Sequence, residues 1–574
     1  MNLMRAKRFF KEYENCILAF GLLLFVSIVI AIRYDYYYAL NDDVLIKDII
    51  SGLYTGMPES RNNQMLYPMS LFFSLLYKVL PAVPWYGGFL WLCHYGCLFL
   101  ILHRILKLCE NKKIKRFICL PVILVLSGMF LEHLVLVQYT VTSGLLAATA
   151  LFLLVTEPDR EHLFKRSIPY IGLAMLALLL RSEMLLLMLP FLCVAGLYVW
   201  SCEKKIFKAA HFKKYFGIIG CLLAVVAGML MIDGLAYSGE DWKEFRRFFD
   251  ARTTLYDYTG VPAYEQNEAF YKANNISELQ YELLKNYNYG LDESVDAAMM
   301  ENVEEYAESI QDSFLARLKL GLVRYKYRII NMDGAPYCFW AVAGYVLLAL
   351  AIHQKNKWRL IFTVGMMLMV RSVVWVYILM TNRIPDRITH PLYFAECLLL
   401  VAVFIIELQT GQERRIRYRL SLGAVVILLV GLIGLGNGMK MTKNQIAQIE
   451  AQNVANAALM EYSAQHPDDF FFMDVYSSIY FTEKVFIQQQ TGKNRELLGG
   501  WICNSPLYYK KLQAYGMASV EEGFVDHDNV FLVQKGESDL DWLVAYYESK
   551  GYRINITEEK ILDGGLVIYS LERN

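Results

Sequence analysis

A chain of 574 residues that is 56% hydrophobic and 14% aromatic, with 20% charged residues and a mean hydropathy of +0.31, does not read as an ordinary soluble enzyme. Lysine plus arginine and aspartate plus glutamate each number 56, so the formal charge is zero, which argues against a protein that coats nucleic acid. Of the 11 cysteines, Cys16, Cys93, Cys97, Cys119, Cys193, Cys221, Cys338 and Cys397 fall in or beside apolar runs and read as packing residues rather than a disulfide framework.

The first apolar run, residues 15 to 32, follows a basic segment (Arg5, Lys7, Arg8, Lys11) and has no small-residue cleavage site, so it reads as an uncleaved spanning helix. A surface helix is expected from about Asp42 to Tyr54, with Val44, Ile46, Ile49, Ile50 and Leu53 near helical spacing. After the turn at Gly56 and Pro58, Met65 to Leu80 is apolar enough to cross, but counting it would place the basic 103 to 116 linker outside. It is therefore expected to lie along the outer membrane face. Residues 85 to 105 span next. The runs 117 to 155 and 168 to 200 are too long for one crossing and are interrupted near their middles, by Glu132, His133 and Gln138 and by Arg181, Ser182 and Glu183, so each reads as two. Runs at 214 to 236, 336 to 353, 359 to 380, 391 to 408 and 420 to 438 bring the total to about eleven spans.

Two large parts remain. Residues 237 to 335 form a polar, Tyr-rich loop with a helix expected over about 293 to 320. Residues 439 to 574 read as a helix at 442 to 465, a strand from Phe470 to Val475, a Gly-rich stretch from Gly499 to Pro506, a helix at 539 to 550 and closing strands. The expected architecture is an α-helical polytopic membrane protein. Residues 1 to 438 form the bundle, with surface helices inside 33 to 84 and the loop at 237 to 335, and residues 439 to 574 form an extracytoplasmic α/β domain. The N-terminus and the linkers assigned to its side carry 25 basic residues, against 6 in the short segments opposite. Positive charge stays cytoplasmic, so the N-terminus is expected inside and, after eleven crossings, the C-terminus outside.

The hairpin from Ile168 to Trp200 gives about 50 Å of helix, whereas two crossings of the bilayer core need about 60 Å. Its outer turn, Arg181-Ser182-Glu183, is therefore expected below the membrane surface, with the Glu132, His133 and Gln138 turn similarly recessed. Polar backbone at that depth implies a watery cavity. Arg371 and Glu396 inside apolar spans, and the short outward segment with Arg383, Arg387 and His390, add polar groups in the same outer half. Asn41-Asp42-Asp43 places two carboxylates at a helix start, where the dipole stabilises anions. They suit a proton acceptor, and equally a helix cap. Soluble nucleotide donors stay in the cytoplasm, so a transferase working from this cavity needs a donor already in the membrane. A polyprenyl-phosphate-linked sugar fits, its phosphate met by Arg181, Arg371, Arg383 and Arg387. Glu132, His133, Gln138, Glu183, His390 and Glu396 would line the cavity. No resident metal is assigned, because no second His or Cys stands at ligand spacing from His133. A divalent cation on the Asp pair and Glu132 stays open as an alternative.

A first helix, an outward loop with an acidic pair, two surface helices, paired short helices and an outside C-terminal domain resemble the GT-C class of membrane glycosyltransferases. The resemblance covers about the first 200 residues in pattern. It implies lipid-phosphate sugar donors, a first-loop acid (Asp42, Asp43) as catalytic base, and Arg181 as an outer-turn arginine. The Trp-Trp-Asp-type signature of the oligosaccharyltransferase branch is absent. Segments RTTLYDYTGVPAY and LGGWICNSPLYY also resemble bacterial multipass proteins of no assigned activity. The expectation is an inverting transferase of the bacterial cytoplasmic membrane that modifies a cell-surface glycan or polymer. The alternatives are a glycan polymerase or ligase, a transporter or flippase of lipid-linked sugars, for which internal repeats are absent and inner-half charges few, and a non-catalytic scaffold, in which replacing Asp42 and Asp43 with Asn should leave function intact.

Overall fold

The computed structural model of the chain describes residues 13–109, 112–203, 208–331, 336–352, 356–381, 383–409, 413–478, 480–487, 493–536 and 539–573. The basic N-terminal residues and the side chain of Cys119 lie outside the described residues. Among those described, 7 helices are long and apolar enough to cross a membrane, which makes the chain an integral membrane protein.

The chain opens with α1 (Glu14–Arg33), β1 (Tyr37–Tyr38), α2 (Asn41–Ser51), α3 (Tyr67–Val79) and α4 (Trp85–Leu108). Helix α2 stops at Gly52, whose φ of +89° is left-handed and whose missing Cβ would lie 2.8 Å from the Met57 carbonyl carbon and the Pro58 nitrogen. Helix α3 buries Met69, Phe73 and Tyr77 and leaves Phe72, Leu75 and Val79 exposed, an amphipathic pattern suited to a membrane surface. At 13 residues it spans about 20 Å, short of a bilayer core.

The two long apolar runs are broken. The first forms α5 (Lys112–Val135) and α6 (Tyr139–Val155), separated by β2 (Leu136–Val137), which pairs in parallel with β1. Buried His94 holds this turn, one ring nitrogen 2.7 Å from the His133 carbonyl and the other 2.7 Å from Thr142 Oγ1, while the Gln138 side chain accepts from the Val141 amide and caps α6. The second forms α7 (Leu163–Leu180) and α8 (Ser182–Ser201), separated by one extended residue, Arg181. Helix α9 (Ala209–Ala236) leads into the 237–335 loop, expected from the sequence to be the outer loop and called so below.

That loop contains α10 (Glu240–Thr254), a π turn (Leu255–Thr259), α11 (Tyr264–Ala273), α12 (Glu278–Lys285), α13 (Ala297–Ser309) and α14 (Phe314–Ile330). The single helix expected over 293 to 320 is two. Asp296 accepts from the Met299 amide to start α13, and Ser313 accepts from the Ala316 amide to start α14 in a new direction. Helix α14 lies against α16 (Lys357–Met380), where a Cβ on Gly321 would come 2.9 Å from Met380 Cγ. Its Leu315, Leu322, Val323, Ile329 and Ile330 stay exposed between basic residues, as expected of a helix half in lipid.

Helices α15 (Tyr337–Leu350), α16 and α17 (Asp386–Gln409) complete the bundle with α18 (Glu413–Gln465). The expected span at 420 to 438 and outer helix at 442 to 465 are one continuous helix of 53 residues, because no proline interrupts the stretch between them. Backbones of α5 and α18 meet closely: a Cβ on Gly438 would lie 2.6 Å from the Gly128 oxygen.

The C-terminal part comprises β3 (Phe470–Met473), α19 (Val475–Ser478), β4 (Arg495–Leu497), α20 (Pro506–Ala514), α21 (Val520–Asp526), β5 (Val530–Lys535), α22 (Asp541–Ser549), β6 (Ile554–Ile561) and β7 (Leu566–Arg573). The sheet order is β4-β3-β5-β7-β6, with β3 parallel to both neighbours and β7 antiparallel to both of its own. One face packs Phe471, Val533 and Ile568 on Leu459 of α18. The other shares a core with the outer loop, joining Phe470, Leu498, Leu512 and Leu543 to Phe248, Tyr271, Tyr289 and Met300. Gly499 sits at this seam, and a Cβ there would overlap the Tyr287 carbonyl oxygen. Gly499→Ala should destabilise the protein by about 1–3 kcal/mol or more by overpacking, read as a lower melting temperature in detergent.

Candidate functional site

The sequence from Tyr36 to Asp48 builds the floor of the site, and the 480s strap the C-terminal domain onto it. Tyr38 N–H donates to the Glu483 carbonyl at 3.0 Å, Val485 N–H to the Tyr36 carbonyl at 2.9 Å, and Thr482 Oγ1 to the Tyr38 carbonyl at 2.6 Å. Side chains reinforce the backbone. Lys47 is buried against Asp48 at 2.9 Å and against Glu483, and Lys484 pairs with Asp35 at 2.6 Å. Burial disfavours the Lys47 charge, yet Asp48 and Glu483 outweigh it and hold its pKa above the usual lysine value.

Between this floor, the outer loop and the domain lies a cavity of about 570 Å³. Asp42 faces it from the first turn of α2, Arg181 and Glu183 from the α7–α8 turn together with Gln64, Arg383 from just before α17 and Arg387 from its first turn. Arg387 Nη1 stands 3.8 Å from Asp42 Oδ2, Arg383 pairs with Asp257, and Arg181 donates to Gln64 Oε1 at 2.9 Å and to Glu183 at 3.1 Å. The outer loop contributes Arg252, which donates to Tyr289 Oη at 3.1 Å. The domain contributes Arg495, Glu496 and Lys511, the last two 3.0 Å apart, together with Gly499 to Cys503. Burial pulls the pKa values of Arg495 and Lys511 down from their usual values.

Several assignments made from sequence change here. Asp43 does not line the cavity: it is fully buried and accepts from Tyr86 Oη at 2.8 Å and the Tyr139 amide at 3.1 Å, fastening α2 to α4 and the start of α6. Burial pushes its carboxyl well above the usual range, against the lowering effect of the Tyr86 hydrogen bond. Arg371 and Glu396 are likewise away from the cavity. They pair with each other at 2.9 Å between α16 and α17, and Tyr345 Oη donates to Glu396 at 2.8 Å. Each span supplies the other's counter-ion, which cancels the charge that seemed free in either helix alone.

Glu132, His133, Gln138 and His390 do not line the large cavity with Asp42. His133 and Glu132, with Gln138 and Gln445, line a neighbouring cavity of about 340 Å³ that shares Leu40, Asn41, Arg387, Tyr480 and Phe481 with the first. His390 lies against His133, ring nitrogens 2.9 Å apart. The proposed cation seat on the Asp pair and Glu132 is not assembled, since Asp43 is committed to Tyr86 and Tyr139 and Glu132 lies on the other cavity.

Residues that sequence reasoning passed over are Asp48, Lys47, Glu483, Arg495, Glu496 and Lys511. Their signal was two charged dipeptides, Glu483-Lys484 and Arg495-Glu496, flanking otherwise apolar segments of the domain. Arg252 and Asp257 of the 237–335 loop also face the large cavity.

No family model and no curated protein matches the chain. Among solved structures it is similar to the apo crystal structure of ArnT from Cupriavidus metallidurans, at 10% identity and a TM-score of 0.40, over 96% of this chain and 97% of that one. A likeness this distant carries no assignment.

Proposed function

We propose that the chain is a membrane glycosyltransferase that moves a sugar from a polyprenyl-phosphate donor to a cell-surface acceptor at the outer face of a bacterial cytoplasmic membrane. This reading takes the N-terminus as inside, the helices at all eleven segments as crossings, and residues 439–574 as the outside domain. The observation that carries it is the convergence in one cavity of the Asp42 carboxylate with the guanidinium groups of Arg387, Arg181 and Arg383, of which Arg387 stands nearest to Asp42 and the other two pair with Glu183 and Asp257. The carboxylate suits the acceptor hydroxyl, and the guanidinium forks suit a phosphate.

In the reaction, Asp42 takes the proton of the acceptor hydroxyl as that oxygen bonds to the anomeric carbon. The bond from that carbon to the phosphate oxygen breaks, and the lipid phosphate leaves with its charge met by the arginines. A single displacement from the opposite face inverts the anomeric centre. The acceptor enters from the domain side, past Arg495, Trp501 and Tyr287. A donor with a longer glycan would make the same parts a polymerase or ligase, so the lipid donor separates these two.

The test is reconstitution in proteoliposomes with a panel of radiolabelled polyprenyl-phosphate sugars. Arg387→Ala should raise the KM for the donor roughly 10- to 100-fold, the worth of a charge-assisted hydrogen bond. Arg371→Lys, which keeps a counter-ion for Glu396, should leave that KM within about threefold, inside the error of such comparisons. Equal KM values for both variants would remove Arg387 from the donor site.

A further inference from the structure

We infer that Glu132, His133 and His390 form a transition-metal site, with zinc as the fitting ion. Their donor atoms lie within 4.8 Å of one another. All three residues are buried, at 7%, 5% and 5% exposure. His133 Nε2 and His390 Nδ1 face each other at 2.9 Å. Two neutral imidazoles in this arrangement share one proton, whereas a cation between them takes a lone pair from each.

The carboxylate completes the set. Glu132 uses Oε1 to accept from Gln445 Nε2 at 2.7 Å, which orients it, and among the described residues its buried Oε2 has no hydrogen-bond partner. A buried carboxylate oxygen left without a donor is costly, and a cation relieves that cost. The surroundings fix the ligands as metal sites do. Asp386 Oδ1 stands 3.6 Å from His390 Nε2, on the side away from His133, and Tyr337 stacks on the His390 ring at 3.9 Å. A carboxylate that closes from there to hydrogen-bond distance behind a ligating histidine sets its tautomer and raises its basicity.

Two nitrogens and one carboxylate oxygen suit zinc and its first-row neighbours, not calcium or magnesium, which take oxygen-only shells. Three protein ligands leave a fourth position, and Glu132 and His133 both border the smaller cavity, whose wall Arg387 shares with the large one. The site is independent of the transferase reading, because metal is counted without turnover.

The experiment uses the full chain in detergent, purified through a histidine-free tag, stripped with a chelator and dialysed against Zn²⁺ or Co²⁺. Wild type should retain one Zn²⁺ per chain by elemental analysis and give the ligand-field bands of low-coordinate, imidazole-bound Co²⁺. The His133→Ala, His390→Ala double variant should lose both signals. Asp386→Asn, which keeps every ligand, should weaken Zn²⁺ binding roughly 10- to 100-fold. Wild type without stoichiometric zinc, or Asp386→Asn with unchanged affinity, would overturn the site. If the double variant fails to fold, the Co²⁺ spectrum of wild type decides, and octahedral oxygen-type bands would sink the proposal.

Discussion

Asp42→Asn should lower sugar transfer by about 100-fold or more, the typical worth of a positioned general base, while Asp43→Asn keeps it within about tenfold, a change of under roughly 1.4 kcal/mol. The neighbours differ in what they touch. Asp42 opens on the cavity opposite Arg387, so an amide there can no longer take the acceptor proton. Asp43 is enclosed, and an asparagine oxygen can accept the same two bonds from Tyr86 and the Tyr139 amide. Burial raises the Asp43 pKa, so folding is favoured by its protonated form. That contribution is complete at pH below the ordinary carboxylate range and is lost as pH rises through the folded value. Asp43→Asn should therefore gain stability relative to wild type as pH climbs from about 4 to about 8, starting near the unperturbed carboxylate value. Melting curves across that range check it, and a difference that stays flat would mean that Asp43 titrates in the folded protein as it does in the unfolded chain. Equal transfer by both Asn variants would remove the proposed base.

Glu483→Ala should cost about 1–3 kcal/mol of stability, because Lys47 loses one buried partner and keeps Asp48 at 2.9 Å. Lys47 is 5% exposed and Glu483 4%, so neither charge has water to fall back on. The substitution loosens the strap that joins the domain to the first loop, and limited proteolysis should then cut within the 480s. Lys47→Met combined with Glu483→Leu should recover only part of the loss, because apolar packing replaces this pair but leaves Asp48 without its cation. The pKa of Lys47 is raised, so its stabilisation is present through neutral pH and lost only when pH rises through the folded lysine value. A deficit under about 1 kcal/mol, the scale of an exposed pair, would show that solvent reaches the two groups.

The apolar segments were legible because bilayer length and hydropathy are local properties. The same holds for the breaks at Arg181 and at 136 to 138, where polar residues interrupt runs too long for one helix. Asp42 and Arg181 could be named because a first-loop acid and a recessed turn leave marks within a few residues. What stayed hidden depends on registration between helices. Arg371 and Glu396 stand 25 residues apart on different spans, and nothing in either segment says that they face each other. His133 and His390 are 257 apart, so ligand spacing along the chain gave no warning of their encounter. The common core of Phe248, Tyr289 and Leu498 was equally invisible, since loop and domain each looked self-sufficient as amphipathic patterns.

The 53 residues of α18 rise about 80 Å, well over the thickness of a bilayer core, without a joint. Such a mast allows no swivel between what is anchored in lipid and what projects beyond it. An incoming polymer then cannot be admitted by swinging the domain aside. In the proposed transferase, entry would then come from smaller excursions of residues 480–487 and of the loop carrying Tyr287, with α18 holding the sheet at a fixed distance from the donor phosphate. A rigid separation of that kind would act as a ruler, favouring acceptors whose reactive hydroxyl sits at one depth below the domain.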